Sequence, residues 1–257
     1  MSSASLIAED TEMTELIKRD DDGGLCTLTL NRPEKHNALS SAMFAALDEH
    51  IGALQGQTDR IGCVVLRGAG KSFCAGADLS ELQDGSALVD FSSKPRILER
   101  LERLPQPVIA AVHGVCYTGG LELALAADFI ISTASARFAD THGRWGFVPG
   151  WGMTQRLPRR IGPTRAKRMM LTGRTVAAEE AMAIGLTELW VADERFDAAV
   201  AEFAAEILAN SWFSNRETKR LLLETDGLSL RDGLAYEVYR HPGVAPDFLE
   251  RLSRRKT

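Results

Sequence analysis

In the stretch 107–132, PVIAAVHGVCYTGGLELALAADFIIS, a single glutamate stands among apolar neighbours. Glu122 follows the pair Gly119-Gly120 and falls in the first turn of a Leu/Ala-rich helix reaching Ala127. Glycines opening a helix leave a backbone N–H pointing outward at the positive end of the dipole. A buried acid beside an exposed amide can stabilise an oxyanion and move a proton. The alternative is an ordinary strand–turn–helix whose Glu122 reaches solvent or caps its own helix. Residues 140–162, DTHGRWGFVPGWGMTQRLPRRIG, are Gly-rich and carry Asp140, His142, Arg144 and Trp145. Loops of this composition carry function more often than packing. Histidine can act as acid or base near neutral pH. Asp140, two residues away in an extended segment, would face the same side as His142 and orient its imidazole. A lone histidine in such a loop is otherwise a surface or hydrogen-bonded residue.

A second segment, RGAGKSFCAGADLSEL (67–82), repeats the plan of strand, glycine turn and helix start. Gly68, Gly70 and Gly76 punctuate it, and Asp78 or Ser80 can begin a helix. Successive strands lying side by side bring two such loops to one edge of a sheet. The amide of Ala77 then faces that of Gly119, and two donors aimed at one point polarise a carbonyl and stabilise its enolate.

The elements that must position these residues follow from the apolar pattern. Residues 108–112, 129–131 and 61–66 are short continuous apolar runs and read as buried strands. Residues 16–19 and 25–30 flank Asp20-Asp21-Asp22-Gly23-Gly24, which predicts a hairpin. Ser40 or Ser41 caps a helix whose Met43, Phe44, Leu47, Ile51 and Leu54 share one face. Residues 86–104 end as a helix with Ile97, Leu98, Leu101 and Leu104 on one side, and begin less regularly. Residues 134–139 read as a strand, 166–171 and 177–184 as helices, 188–191 as a strand and 196–208 as a helix. The charged helical end is interrupted by His241-Pro242-Gly243. The chain thus divides into an α/β core, 1–195, and a helical region, 196–257, of the kind that packs on a neighbour or a second subunit.

Composition is that of a globular protein: 257 residues, 45% hydrophobic, 25% charged. A net charge of -5 argues against a general nucleic-acid surface. Cys26, Cys63, Cys74 and Cys116 show no C-x-x-C spacing and read as reduced thiols of a cytoplasmic protein. No secretory signal is expected from the first residues, and no apolar stretch is long enough to span a bilayer. No metal-ligand cluster, Walker loop or G-x-G-x-x-G is present, and Arg159-Arg160 and Arg254-Arg255-Lys256 read as solvated or anion-facing charges.

Five segments together resemble the crotonase superfamily, the enoyl-CoA hydratase/isomerase family: LNRPEKHNAL (30–39), KSFCAGADLSEL (71–82), PVIAAVHGVCYTGGLELALAADF (107–129), FVPGWGMTQRLPRRIG (147–162) and LTGRTVAAEEAMAIGLTELWV (171–191). They occur in the family's order and cover nearly the whole chain. The resemblance implies a crotonase-like spiral of ββα repeats with a helical C-terminal trimerisation region, assembled as trimers or dimers of trimers. It also implies an acyl-CoA substrate handled without a metal or redox cofactor. The amides of Ala77 and Gly119 match the oxyanion hole, and Ala75, Gly76, Ala77, Asp78 and Leu79 match the loop beside the CoA adenine and pantetheine. Glu122 matches the first of two hydratase glutamates. Three departures stand out: His142 where the second glutamate is usual, Thr118 for a third glycine, and Glu34 for a lysine, with Lys35 next. The expectation is a hydratase-like lyase working through a thioester enolate, with Glu122 and His142 moving protons. The alternatives are an enoyl-CoA isomerase, or a non-catalytic acyl-CoA-binding homologue.

Overall fold

The computed structural model describes residues 16–83 and 92–254. The expected irregular start of the 86–104 helix lies largely outside them. The hairpin forms as read: β1 (Ile17–Asp22) pairs antiparallel with β2 (Leu25–Leu30) across the turn at Gly23-Gly24. Ser40 caps α1 (Ser41–Gln55), its hydroxyl accepting from the Met43 amide at 3.1 Å, and the five expected apolar residues are buried. Then come β3 (Cys63–Gly68), the short α2 (Leu79–Gln83) and α3 (Ser93–Glu102). The central stretch gives β4 (Val108–Val112), β5 (Val115–Tyr117) and α4 (Gly119–Leu125). After β6 (Phe129–Thr133), β7 (Arg137–Ala139) occupies only the end of the expected strand, because residues 134–135 turn.

A helix not read in the sequence follows: α5 (Met153–Ile161), inside the Gly-rich segment. Its buried residues Met153, Leu157 and Ile161 are spaced four apart, a single narrow stripe among polar residues and Pro158. Next are α6 (Pro163–Thr172), β8 (Val176–Ala177), α7 (Ala178–Ala183), β9 (Leu189–Val191) and α8 (Phe196–Leu208). The last helices are α9 (Trp212–Thr225), α10 (Leu230–Arg240) and α11 (Phe248–Arg254).

The main sheet has the order β1-β2-β3-β4-β6-β9, parallel from β2 onward. A second sheet holds β5, β7 and β8, and bridges at Leu39–Ala77 and Cys74–Cys116 extend this second layer toward earlier turns. Each turn of the chain lays one strand in the main sheet and one segment in the second layer, then a helix: a spiral of ββα units. Both faces of the main sheet are covered, which is why its central strands are continuous apolar runs. The larger core lies on the face of Val64, Leu66, Val108 and Ala110. On the other, Cys63, Val65, Ile109, Ala111 and Ile131 pack against Phe196, Val200 and Ala204 of α8. Residues after α8 remain largely exposed, with Leu230, Leu234, Val238, Tyr239 and Leu249 in the open.

Candidate active site

The topology brings the two glycine loops together. In the parallel bridge of Leu39 to Ala77, the Leu39 amide donates to the Gly76 carbonyl at 2.8 Å and the Asp78 amide to the Leu39 carbonyl at 3.0 Å. The flanking residues satisfy Leu39, so the Ala77 N–H points the other way. A methyl group placed on Gly119 would sit 3.3 Å from the Ala77 nitrogen, and one on Gly76 would sit 3.5 Å from the Gly119 nitrogen. Neither amide has a hydrogen-bond partner among the described residues. Two unfilled donors therefore converge beside one cavity of about 310 Å³.

The first loop is held from the Asn-Arg-Pro turn. Asn37, fully buried and left-handed, accepts from the Arg32 amide and donates to the Ala69 and Ser72 carbonyls. Arg32 reaches Asp78 at 2.8 Å. Burial pushes the Asp78 carboxyl up, but hydrogen bonds from Ser80 and Arg32 overcome it and hold the group at about 2.

The second loop is fixed by an unusual residue. Thr118 has φ 52 and ψ -114, a left-handed conformation that side chains disfavour, and it stands where a glycine would be at ease. Its amide donates to Ala139 and its hydroxyl meets that of Thr141 at 2.6 Å. The strained residue thus ties the start of α4 to the segment carrying His142. Gly119 must itself be glycine, because a methyl there would overlap the Trp151 ring.

Glu122 is 1% exposed. Its Oε1 accepts from the amides of Trp151 at 2.8 Å and Met153 at 3.0 Å, at the start of α5. Its Oε2 lies 3.7 Å from His142 Nε2. Burial raises the carboxyl above the ordinary range, against the pull of the two amides and His142. Asp140 Oδ1 accepts from His142 Nδ1 at 2.6 Å and from the His142 amide at 3.1 Å. The pairing arises not from an extended strand, as its spacing suggested, but from an Asx-type turn leading into the 3-10 turn His142–Arg144. In the neutral imidazole a carboxylate on Nδ1 fixes the proton there, which leaves the Nε2 lone pair on the side of Glu122. Asp140 is buried behind the imidazole, its Oδ2 without a partner among the described residues.

The cavity is lined by Ala77, Gly119, Glu122 and His142, and by Lys35, Ala75, Asp78 and Leu79, of which Lys35 and Leu79 are exposed at its rim. Gly76 and Asp140 are not on its wall. Of the large apolar residues in the Gly-rich segment, Trp145, Phe147 and Trp151 line it, whereas Met153 is buried in the core and is not on the wall. The sequence reading missed the two amides holding Glu122, the Thr118–Thr141 contact and Lys94, a further lining residue. Only the stripe of Met153, Leu157 and Ile161 could have disclosed the first. Among the described residues no group of three or more His, Cys, Asp or Glu could hold a metal ion, and no helix is long and apolar enough to cross a membrane.

The sequence matches the family described as Enoyl-CoA hydratase/isomerase over residues 20–239. It is 43% identical, over 86% of both chains, to YngF of Bacillus subtilis, whose name places it among enoyl-CoA hydratases/isomerases. It is 34% identical, over 94% of its own length and 95% of the relative's, to the 1,2-epoxyphenylacetyl-CoA isomerase of Escherichia coli. The fold superposes on the crystal structure of an enoyl-CoA hydratase from Bacillus anthracis with a TM-score of 0.90, at 36% identity and covering 94% of this chain and 96% of that one.

Proposed function

The chain belongs to the enoyl-CoA hydratase/isomerase family, and from that membership we propose that it adds water across the 2,3-double bond of an enoyl-CoA. The observation that carries this reading is the opposition of Glu122 Oε2 and His142 Nε2 at 3.7 Å beside the Ala77 and Gly119 amides. A water oxygen hydrogen-bonded to both atoms fits that separation. His142 Nε2 takes one water proton as the oxygen bonds to C3, and the π electrons move onto the thioester oxygen. The two amides hold that oxyanion without reorganising. Glu122, kept protonated more readily by burial, delivers its proton to C2. A second water then returns the proton from His142 to Glu122. Asp140 orients the imidazole.

Residues 75–79 and the exposed Lys35 suit the CoA moiety at the rim, and the chemistry runs on proton transfer alone. The free, buried cysteines support a cytoplasmic setting. The apolar faces of α10 and α11 support a homotrimer, or a dimer of trimers, built on residues 196–257. Isomerisation is the second reading, favoured by Glu122 being the one carboxylate on the wall that faces His142: a single acid–base group can carry a proton between C2 and C4. Crotonyl-CoA and longer enoyl-CoAs incubated in ¹⁸O-water separate the two. Hydration yields a labelled 3-hydroxyacyl-CoA by mass spectrometry; an unlabelled positional isomer as the sole product would overturn the hydratase reading.

A further inference from the structure

Lys94 lies in the first turn of α3, lines the cavity and is only 5% exposed. Its ammonium nitrogen sits 5.9 Å from the centroid of the Trp151 ring. It makes no hydrogen bond or ion pair among the described residues. Two costs and only a partial return coincide here. A covered ammonium loses its water, a π face returns only part of that loss, and a cation in the first turn opposes the helix dipole. Snorkelling, the usual relief for a lysine, is excluded by the coverage of the whole side chain.

No acid on the cavity wall serves as its counter-ion. Asp78 is paired with Arg32. Glu81 accepts from the Ser41 amide and hydroxyl. Glu122 is held by two amides, and the charged groups acting on it are His142 and Asp140 rather than Lys94. The cation therefore has no partner in the proton-transfer pair and lies near the Trp151 ring, whose edge seats on Gly119. The CoA phosphates, multiply charged and heavily hydrated, suit the exposed Lys35 at the rim rather than a covered ammonium.

We propose that Lys94 receives a carboxylate at the far end of the acyl chain, so that the preferred substrate is a dicarboxylic enoyl thioester. This rests on the acyl-CoA reading above. The test compares hex-2-enoyl-CoA with its analogue bearing a terminal carboxylate. The wild-type protein should favour the carboxylated thioester in kcat/KM by at least about 30-fold, the loss expected when one partner of a buried charge pair is absent. Lys94→Met should erase that preference, bringing the ratio of kcat/KM on the two substrates to within about three-fold, and Lys94→Arg should keep it. Equal or better use of the uncharged thioester by the wild type overturns the proposal, whatever the variants do; so does an equal loss on both substrates in a folded Lys94→Met. Calorimetric binding of saturated hexanoyl-CoA and adipoyl-CoA separates this from failure of the hydratase reading. If neither enoyl thioester is hydrated, tighter adipoyl-CoA binding that depends on Lys94 still upholds the inference, and equal binding overturns it.

Discussion

Two carboxylates flank the same short helix: Glu122 in its first turn and Asp128 just past its end. Burial raises both above the ordinary carboxylate range. Asp128 Oδ2 accepts from the Val108 amide at 2.7 Å and from Lys219 of α9 at 2.6 Å, and Lys219 also donates to the Gln106 carbonyl. It thereby fastens a C-terminal helix to the start of a central strand. Glu122 is held no less firmly, and in both acids the hydrogen bonds fall on a single oxygen. What marks Glu122 out is the surroundings of its other oxygen: Oε2 lies 3.7 Å from His142 Nε2 on the cavity wall, whereas Asp128 carries a lysine and is not on that wall.

The sharpest way to break the comparison is to neutralise each site in turn. Glu122→Gln is expected to lower kcat by about 1,000-fold on a hydrated enoyl-CoA. It should not destabilise the fold. Because burial holds the folded carboxyl above its unfolded value of about 4.3, this group favours folding at low pH and that contribution is lost as pH rises through the folded value. The variant should therefore melt higher than wild type at pH 8, an advantage that vanishes near pH 4. Lys219→Met should give the reverse pattern. It leaves kcat within about two-fold but costs about 2 kcal/mol, below the full value for a buried pair because the Asp128 side chain is 24% exposed. Thermal unfolding and steady-state kinetics on the two variants check both halves.

His142→Ala should lower kcat by about 100-fold while acyl-CoA affinity, read by calorimetry, changes less than about three-fold, since the amides and rim survive. An equal loss of affinity would assign the imidazole to binding instead. The smallest effect is expected at Thr118. Thr118→Gly relieves a left-handed residue but frees the chain and cuts the hydroxyl link to Thr141, so stability should shift by about 1 kcal/mol or less. The readout is turnover, expected to fall several-fold as His142 loses its tether.

Much of this was legible in the residues. The continuous apolar strands announce a sheet covered on both faces, and the two glycine loops announce amides meeting at one edge. The pairing of Asp140 with His142 followed from their nearness, though the turn that makes it did not. What stayed hidden shares a physical cause. The bonds that hold Glu122 come from the main chain of residues 151 and 153, and every residue type but proline has such an N–H. The helix that presents them has one apolar residue per turn, and Pro158 sits inside it. Lys94 was hidden for a related reason: a lysine beside two serines reads as surface until a tryptophan, distant in sequence, folds over it.

That main-chain clamp separates two kinds of inheritance. At position 151 the side chain lines the cavity, whereas the amides of Trp151 and Met153 hold the acid. Substitutions can remodel the pocket there and leave the reactive oxygen where it was. Lineages sharing this fold are thus free to change the cavity wall at position 151 while keeping the acid anchored, because the anchor is main chain and does not depend on which side chain stands there.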